Sequence, residues 1–332
     1  TVSVSDCHVV LGYLNPDNFL GGAIKLDVNR ARKYLKEQIA DPLNLTVEDA
    51  AAGVIELLDL NLREYMRSVI SAKGYNPADF VCFSYGGAGP VHTYGYTEGL
   101  GFKDVVVPAW AAGFSAFGCA CAEYEYRYDK SVDIGVGPKA TDAEKVQACA
   151  TLTEAWAELS EKVIEEFIIN GFKPEDVLLR PGYRMQFMGQ LNDLEINSPV
   201  TNASTLADWE RMVHAFDETY ARVYASSASS PELGFGVTGA IMRGSVVSSK
   251  PELPEEPDAG PVPPKEAHIG SRPFYRHKKW QDAQIWSMEA LKAGNRVVGP
   301  AIVESPSTTF IVPLGFETYC DTHRLFHLKE VK

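Results

Sequence analysis

Phe80-Val81-Cys82-Phe83-Ser84-Tyr85-Gly86-Gly87-Ala88-Gly89-Pro90 is the stretch whose reading decides the fold. A run of strand character breaks into glycines, helical spacing resumes to about Glu98, and Val105-Val106-Val107 gives a second apolar run ended by Pro108. Strand, helix and strand in this order over roughly thirty residues predict a βαβ unit in a parallel or mixed sheet. Glycines at a strand-to-helix corner let backbone approach a ligand closely and turn amide N–H groups toward it. Gly86, Gly87, Ala88, Gly89 and Pro90 are therefore the candidate binding residues. A Gly-rich corner is also an ordinary tight turn, so the pattern alone leaves both readings open. His92 reads as a satisfied polar residue at a helix start rather than as a base.

Upstream, Thr46 and Asp49 have capping-box spacing. Ala51, Val54, Ile55, Leu58, Leu62, Met66, Val69 and Ile70 then recur at helical intervals as far as Gly74, predicting a long helix buried between other elements. The alternation in TVSVSDCHVV at residues 1–10 reads as a strand or extended entry, and a helix from about Val28 to Ile39 is expected to stop at Pro42. Downstream, the small residues 109–122 suit a cleft floor, and Asp133-Ile134-Gly135-Val136-Gly137 reads as a loop. Thr141 with Glu144 opens a second long helix ending at Gly171, Tyr183, Met185 and Phe187 alternate as a strand, and a third helix spans about Leu206 to Tyr224. Six prolines in residues 250–264 mark a linker or strap. Short β runs follow at Arg296–Val298, Ala301–Glu304, Thr308–Val312 and Arg324–Leu328. The expected domains are 1–137, a helix-plus-β domain at 138–249, a strap at 250–270, and a β-rich segment at 271–332 packing on the preceding domain.

Composition narrows the function. The chain has 332 residues, 45% hydrophobic and 23% charged, which excludes a disordered polypeptide. A net charge of −13 argues against nucleic acid and anionic lipid as partners, and no run of apolar residues is long enough to span a bilayer. The six cysteines form no CxxC pair, as expected of reduced thiols in a cytoplasmic protein. Gly234–Gly239 matches a dinucleotide fingerprint by letter, but Ala240-Ile241-Met242-Arg243 after it reads as strand, so the match is rejected. Asp6-Cys7-His8 reads as structural, the His323 and His327 cluster as surface, and Asp193 with Glu195 as a solvated edge. The first residue is not methionine, and the expectation is a cleaved or partial polypeptide.

Several blocks point further when taken together: LGYLNPDNFLGGAIKLD (11–27), the whole of 47–92 including SYGGAGPVH, and VVGPAIVESPSTTFIVPLGFE (297–317). They resemble the hydantoinase A/5-oxoprolinase family. SYGGAGPVHTYGYTEGLGF, VPAWAAGFSAFGCA, GQLNDLEI and TGAIMRG place the resemblance nearest to the acetone carboxylase branch, over essentially the full chain. Cys7-His8 stands where the family has Asn, and Tyr94 where it has a non-aromatic residue.

The resemblance implies an α/β fold: part of an actin-like, RNase H-like ATPase lobe over 1–137, followed by an α+β domain rich in strands. It implies that Gly86, Gly87, Ala88, Gly89 and Pro90 match the adenosine-side loop of that superfamily. The phosphate loops would lie in an N-terminal half of the same subunit, making this chain the C-terminal half and inactive alone. The implied activity is an ATP-dependent ligase making acetoacetate from acetone and bicarbonate, with ATP and Mg²⁺ here, α and γ subunits as partners, and Mn²⁺ in the α subunit. Two alternatives accompany it: a hydantoinase, 5-oxoprolinase or aromatic-ketone carboxylase subunit, and a non-catalytic scaffold of a multisubunit complex.

Overall fold

Ser3 and Asp6 close a capping box on Val4–Val10 (α1): the Ser3 hydroxyl accepts from the Asp6 N–H, and the Asp6 carboxylate accepts from the Ser3 N–H at 2.8 Å. The computed structural model describes residues 1–224 and 226–331. The expected extended entry is thus a helix, because two alternating valines cannot outweigh two satisfied N-terminal amides. Nor does Pro42 stop the next helix. Val28–Leu35 (α2) runs through a π turn at Lys36–Ala40 into Asp41–Leu43 (α3), where Pro42 sits in the first turn and left-handed Asn44 ends the run. Thr46 caps Val47–Ala72 (α4) by accepting from the Asp49 N–H at 3.0 Å. Only Ala50, Ala51 and Ile55 of α4 are buried, while Leu57 is 60% and Tyr65 70% exposed. The helix is not buried along its length, since apolar spacing reports which residues share a face and not what covers that face.

Val81–Phe83 (β1) and Asp104–Pro108 (β2) pair in parallel, with Cys82 opposite Val105. Their connection is a 3-10 turn at Gly89–His92 and a short helix, Thr93–Thr97 (α5). In the small-residue stretch, Ala111 is fully buried whereas Phe114–Cys121 (α6) holds no buried residue, and Phe83 stacks on Phe114.

The predicted capping box of Thr141 and Glu144 opens Asp142–Ile169 (α7). Around it lie Tyr124–Val136 (β3), Leu178–Phe187 (β4), Leu194–Asn197 (β5), Leu206–Tyr224 (α8) and Phe235–Val246 (β6). These strands form one antiparallel sheet in the order β3-β6-β4-β5. Trp156, Phe167, Phe187, Phe216 and Trp209 unite sheet and helices in a core, with the Trp156 indole donating to Gly182 O at 2.7 Å. Ile134-Gly135-Val136, expected as loop, is the paired end of β3, because Ile134 and Val136 alternate into that core. Gly234–Gly239 leads into strand β6, as the rejected fingerprint required.

The C-terminal strands are His268–Arg276 (β7), Lys279–Ser287 (β8), Arg296–Val298 (β9), Ala301–Glu304 (β10), Thr309–Val312 (β11), Phe316–Cys320 (β12) and Leu325–Glu330 (β13). They were expected to pack on the helix-plus-β domain. They build the first unit instead: β13 pairs antiparallel with β2, Phe326 opposite Val107, in a mixed sheet ordered β1-β2-β13-β12-β9. A second mixed sheet runs β11-β10-β8-β7. The chain accordingly divides into one unit of residues 1–71, 76–120 and 251–332 and another of 72–75 and 121–250. Val107, Phe310, Val312 and Phe326 share a core, so the strands at the end of the chain complete a sheet begun near residue 80. The α/β class with an added α+β unit rich in strands is the one observed, and among the described residues no sheet closes into a barrel. Among the described residues no helix is long and apolar enough to cross a membrane.

Packing in the α7 unit is tight enough to test. A Cβ at Gly244 would stand 2.2 Å from Val163 Cγ1 and 3.2 Å from Phe167. Gly244→Ala is expected to destabilise that unit by about 1–3 kcal/mol, read as a lower urea midpoint with unchanged cooperativity.

Candidate functional site

The glycine corner is held in place by a turn more than two hundred residues away in sequence. Gly86 adopts φ +87°, a conformation side chains with a Cβ rarely take, and its N–H donates to Ala111 O at 2.7 Å. The Thr308 hydroxyl, between β10 and β11, reaches the carbonyls of Gly86 at 3.2 Å and Gly87 at 3.1 Å. Ser305 Oγ in turn accepts from the N–H groups of Ser307 (3.2 Å) and Thr308 (3.0 Å), which fixes the turn. On its other side the corner rests on the Ser84 and Thr93 hydroxyls, 2.6 Å apart, with Thr93 donating to Pro90 O. A Cβ on Gly87 would lie 3.3 Å from Ser307 O, a contact that the turn could relieve only by giving a few tenths of an ångström, so the close approach of loop and turn favours glycine there.

A cavity of about 230 Å³ opens beneath this junction. Gly87, Ala88 and Val91 contribute one wall, His8 of α1 and Leu14 to Leu20 another, and Glu304 through Thr309 the third. Of the five candidate residues, Gly87 and Ala88 line it; Gly86, Gly89 and Pro90 shape the loop, with Pro90 buried and a Cβ on Gly89 placed 3.8 Å from Ser84 Oγ. The returning helix is a 3-10 turn and five α-helical residues, too short to carry a full helix dipole. The corner therefore offers close backbone approach rather than a strong anion site. A volume of this size admits one ring system and falls below that of most whole-ligand pockets.

Two polar residues line this cavity: His8, which the sequence reading took as structural, and Glu304, which it did not single out. His8 is 2% exposed, and its ring lies 4.7 Å from that of His92. Burial, with His92 nearby, pushes its pKa down to about 3, so the imidazole is neutral across the physiological range. Its Nε2 has no hydrogen-bond partner among the described residues. Glu304 is 4% exposed; one carboxylate oxygen receives the Arg272 guanidinium while Oε2 has no partner among the described residues. Arg272 also donates to Gly12 O at 2.8 Å and Tyr13 O at 3.2 Å. A signal for Glu304 existed in the sequence, since a glutamate ends the fully buried run Ala301-Ile302-Val303. For His8 the sequence offered the Asp6-Cys7-His8 cluster, which was read as structural on a strand, whereas the residue lies on helix α1.

The remaining polar groups find structural partners. His92 Nδ1 lies 2.6 Å from Asp59 Oδ1, the satisfied role expected of it. Asp6 is spent in the α1 capping box. His327 is not a surface residue: it sits between Asp104 at 2.8 Å and Asp321 at 3.1 Å and stacks on Tyr319. Glu195 accepts from Arg127 and Arg243, and Asp193 from Thr238. All six cysteines are free. Among the described residues no group of three or more His, Cys, Asp or Glu side chains could hold a metal ion.

Residues 1–128 match the hydantoinase/oxoprolinase family model, and residues 139–331 match the hydantoinase/oxoprolinase C-terminal domain. The chain is 66% identical over 331 residues to the acetone carboxylase beta subunit of Xanthobacter autotrophicus, covering all of this chain and 46% of that relative. It is 32% identical to the acetophenone carboxylase gamma subunit of Aromatoleum aromaticum, over 99% of this chain and 45% of the relative. A nucleotide-free acetone carboxylase structure superposes with a TM-score of 0.74 at 66% identity, covering 100% of this chain and 47% of that one. An ATP-dependent caprolactamase from Pseudomonas jessenii superposes at 0.84 with 23% identity, over 99% and 47% of the two chains, and shows the fold alone. The chain spans about half the length of the relatives it matches.

The buried imidazole predicts a pH signature. Below pH 6.5 the unfolded chain protonates His8, whereas the folded chain refuses the proton until about pH 3. Stability is thus retained above pH 6.5 and lost as pH falls toward 3, by at most about 1.4 kcal/mol per pH unit from this group. His8→Gln should flatten the pH dependence of the urea midpoint between pH 6.5 and 4. Equal slopes in the two proteins would show that His8 protonates freely in the fold.

Proposed function

Because this chain belongs to the hydantoinase/oxoprolinase family, we propose that it is the C-terminal part of the ATP-handling subunit of a ketone carboxylase that makes acetoacetate from acetone and bicarbonate. The observation that carries this reading is 66% identity along the whole chain to an acetone carboxylase beta subunit, twice its identity to the acetophenone carboxylase subunit. The physical fit lies in the glycine corner. Gly87 and Ala88 expose backbone to a cavity of ring-system size, and Gly86, Gly89 and Pro90 set the corner's shape.

When bound, ATP would supply the phosphoryl groups that turn bicarbonate into an electrophile and acetone into an activated enol. Both substrates need this help, since the methyl protons of acetone are weakly acidic and bicarbonate is a poor electrophile. Phosphoryl transfer asks a protein chiefly for positioning and charge neutralisation. This chain's own contribution is to hold the adenosine end. Thr308 pins the loop carbonyls, Val91, Leu14 and Phe19 exclude water, and the short α5 leaves the phosphate end to other residues. The N-terminal half of the same subunit would supply the phosphate loops. Mg²⁺ would travel with the phosphates. Carbon–carbon bond formation would take place in a partner α subunit with manganese. We assign the α+β unit and the proline-rich strap to holding the α and γ subunits.

The test is acetone-dependent AMP and phosphate release by the full complex, with Gly87→Val in the full-length subunit as the control. A valine at Gly87, a residue that lines the cavity, would bring its Cβ to 3.3 Å from Ser307 O, so nucleotide affinity should fall at least about 100-fold with the complex still assembled. Nucleotide affinity unchanged in that variant would remove the corner from the site. Acetone-independent ATP turnover, with another ketone or a cyclic amide preferred, would reassign the substrate.

A further inference from the structure

The cavity beneath the glycine corner is lined by two residues, each with a buried, unpartnered polar atom, that the nucleotide reading has not used. Carboxylates and imidazoles are rarely left in a protein interior with an atom unpaired, because desolvation without a hydrogen bond costs on the order of 1–3 kcal/mol or more. Here two such atoms, His8 Nε2 and Glu304 Oε2, belong to residues lining one cavity, and both residues are more than nine-tenths buried. Neither is loosely placed. Arg272 fixes Glu304 through its other oxygen, and the ring of His8 is held between Tyr13 and His92, with centroids at 6.0 Å and 4.7 Å. Around them Leu14, Phe19, Val91 and Pro306 offer apolar surface suited to the two faces of a flat ring.

The donor and acceptor types narrow the ligand. An ionised carboxylate oxygen can only accept, so the ligand must present an N–H or O–H to Glu304. A neutral imidazole with its proton on Nε2 donates from that atom, and the ligand atom that complements it is an acceptor. Adenine carries this alternation at one edge, with its 6-amino group beside a ring nitrogen with a free lone pair. We propose that Glu304 and His8 read the base of the bound nucleotide, Glu304 Oε2 accepting from the adenine 6-amino group and His8 Nε2–H donating to a neighbouring ring nitrogen. The proposal rests on the nucleotide reading given above and adds the residues that make the site specific for its base. It also accounts for the depressed pKa of His8. An imidazolium would still donate, but it would place a buried charge beside His92, whereas the neutral ring donates at no such cost.

The experiment compares AMP with its 6-desamino counterpart, purine riboside 5′-monophosphate, by titration calorimetry on the full-length subunit in its complex. The wild-type complex should bind the desamino compound about 10- to 100-fold more weakly, the loss expected for a hydrogen bond to a charged group. Glu304→Leu should bind AMP more weakly by a similar factor and no longer distinguish the two ligands. A purely structural role for Glu304 would lower both affinities and keep their ratio. His8→Leu gives an independent arm. It should keep the discrimination against the desamino ligand but lose that against whichever of 1-deaza-AMP and 7-deaza-AMP the wild-type complex rejects. Should Glu304→Leu fail to assemble, the wild-type ratio still decides: equal affinity for AMP and the desamino ligand overturns the proposal. A wild-type complex that binds no adenine nucleotide at all overturns the nucleotide reading itself, which is a different and recognisable result.

Discussion

Arg272 joins three parts of the chain that meet nowhere else in sequence. From β7 its guanidinium reaches the carbonyls of Gly12 and Tyr13 just after α1 and the carboxylate of Glu304 at the end of β10. A buried ion pair adds little net stability, because desolvation offsets most of its Coulombic attraction, but removing one partner strands the other charge in the interior. The pair therefore acts as a constraint on position. Gly12, at φ +77°, lies so close to the neighbouring strand that a Cβ would stand 2.2 Å from Pro273 O. With the turn after α1 fixed there, His8 and the loop through Leu20 are set against Glu304, and the cavity has its walls.

The second constraint is the Thr308 hydroxyl against the glycine carbonyls. A single donor shared by two acceptors is a weak tether in isolation. It is effective here because Ser305 has already satisfied the amides of its own turn and Ser84 and Thr93 brace the corner from behind. Glycine at 87 is thus explained by Ser307, and glycine at 86 by its backbone angle. Neither reason is a bound ligand. The loop would have this shape as part of the fold, and the cavity follows from it.

Much of the local structure was legible before any coordinates. The Thr141 and Glu144 box placed α7, apolar periodicity placed α4 and α8, and the strand–glycine–strand order gave the parallel pair β1 and β2. The failures share a cause. Residues 1–10 and 133–137 are short, and over so few residues the difference between periods of two and of 3.6 is decided by neighbours: a capping box in one case, the edge of β6 in the other. The exposed face of α4 was misjudged because amphipathicity belongs to a helix, whereas burial belongs to the helix and its surroundings.

The sequence by itself determined the elements, the βαβ corner at residues 80–108 and, through the resemblance of its long blocks, the family. These follow from local hydrogen bonding, turn chemistry and side-chain spacing, which act within a few residues. Only the tertiary structure decided that residues 251–332 return to complete the sheet of residues 81–108, and that His8, Gly87 and Glu304 share one cavity. Those facts depend on contacts between residues as far as 260 positions apart. Strand pairing and core packing fix such contacts only when the whole chain has folded, and no local pattern encodes them.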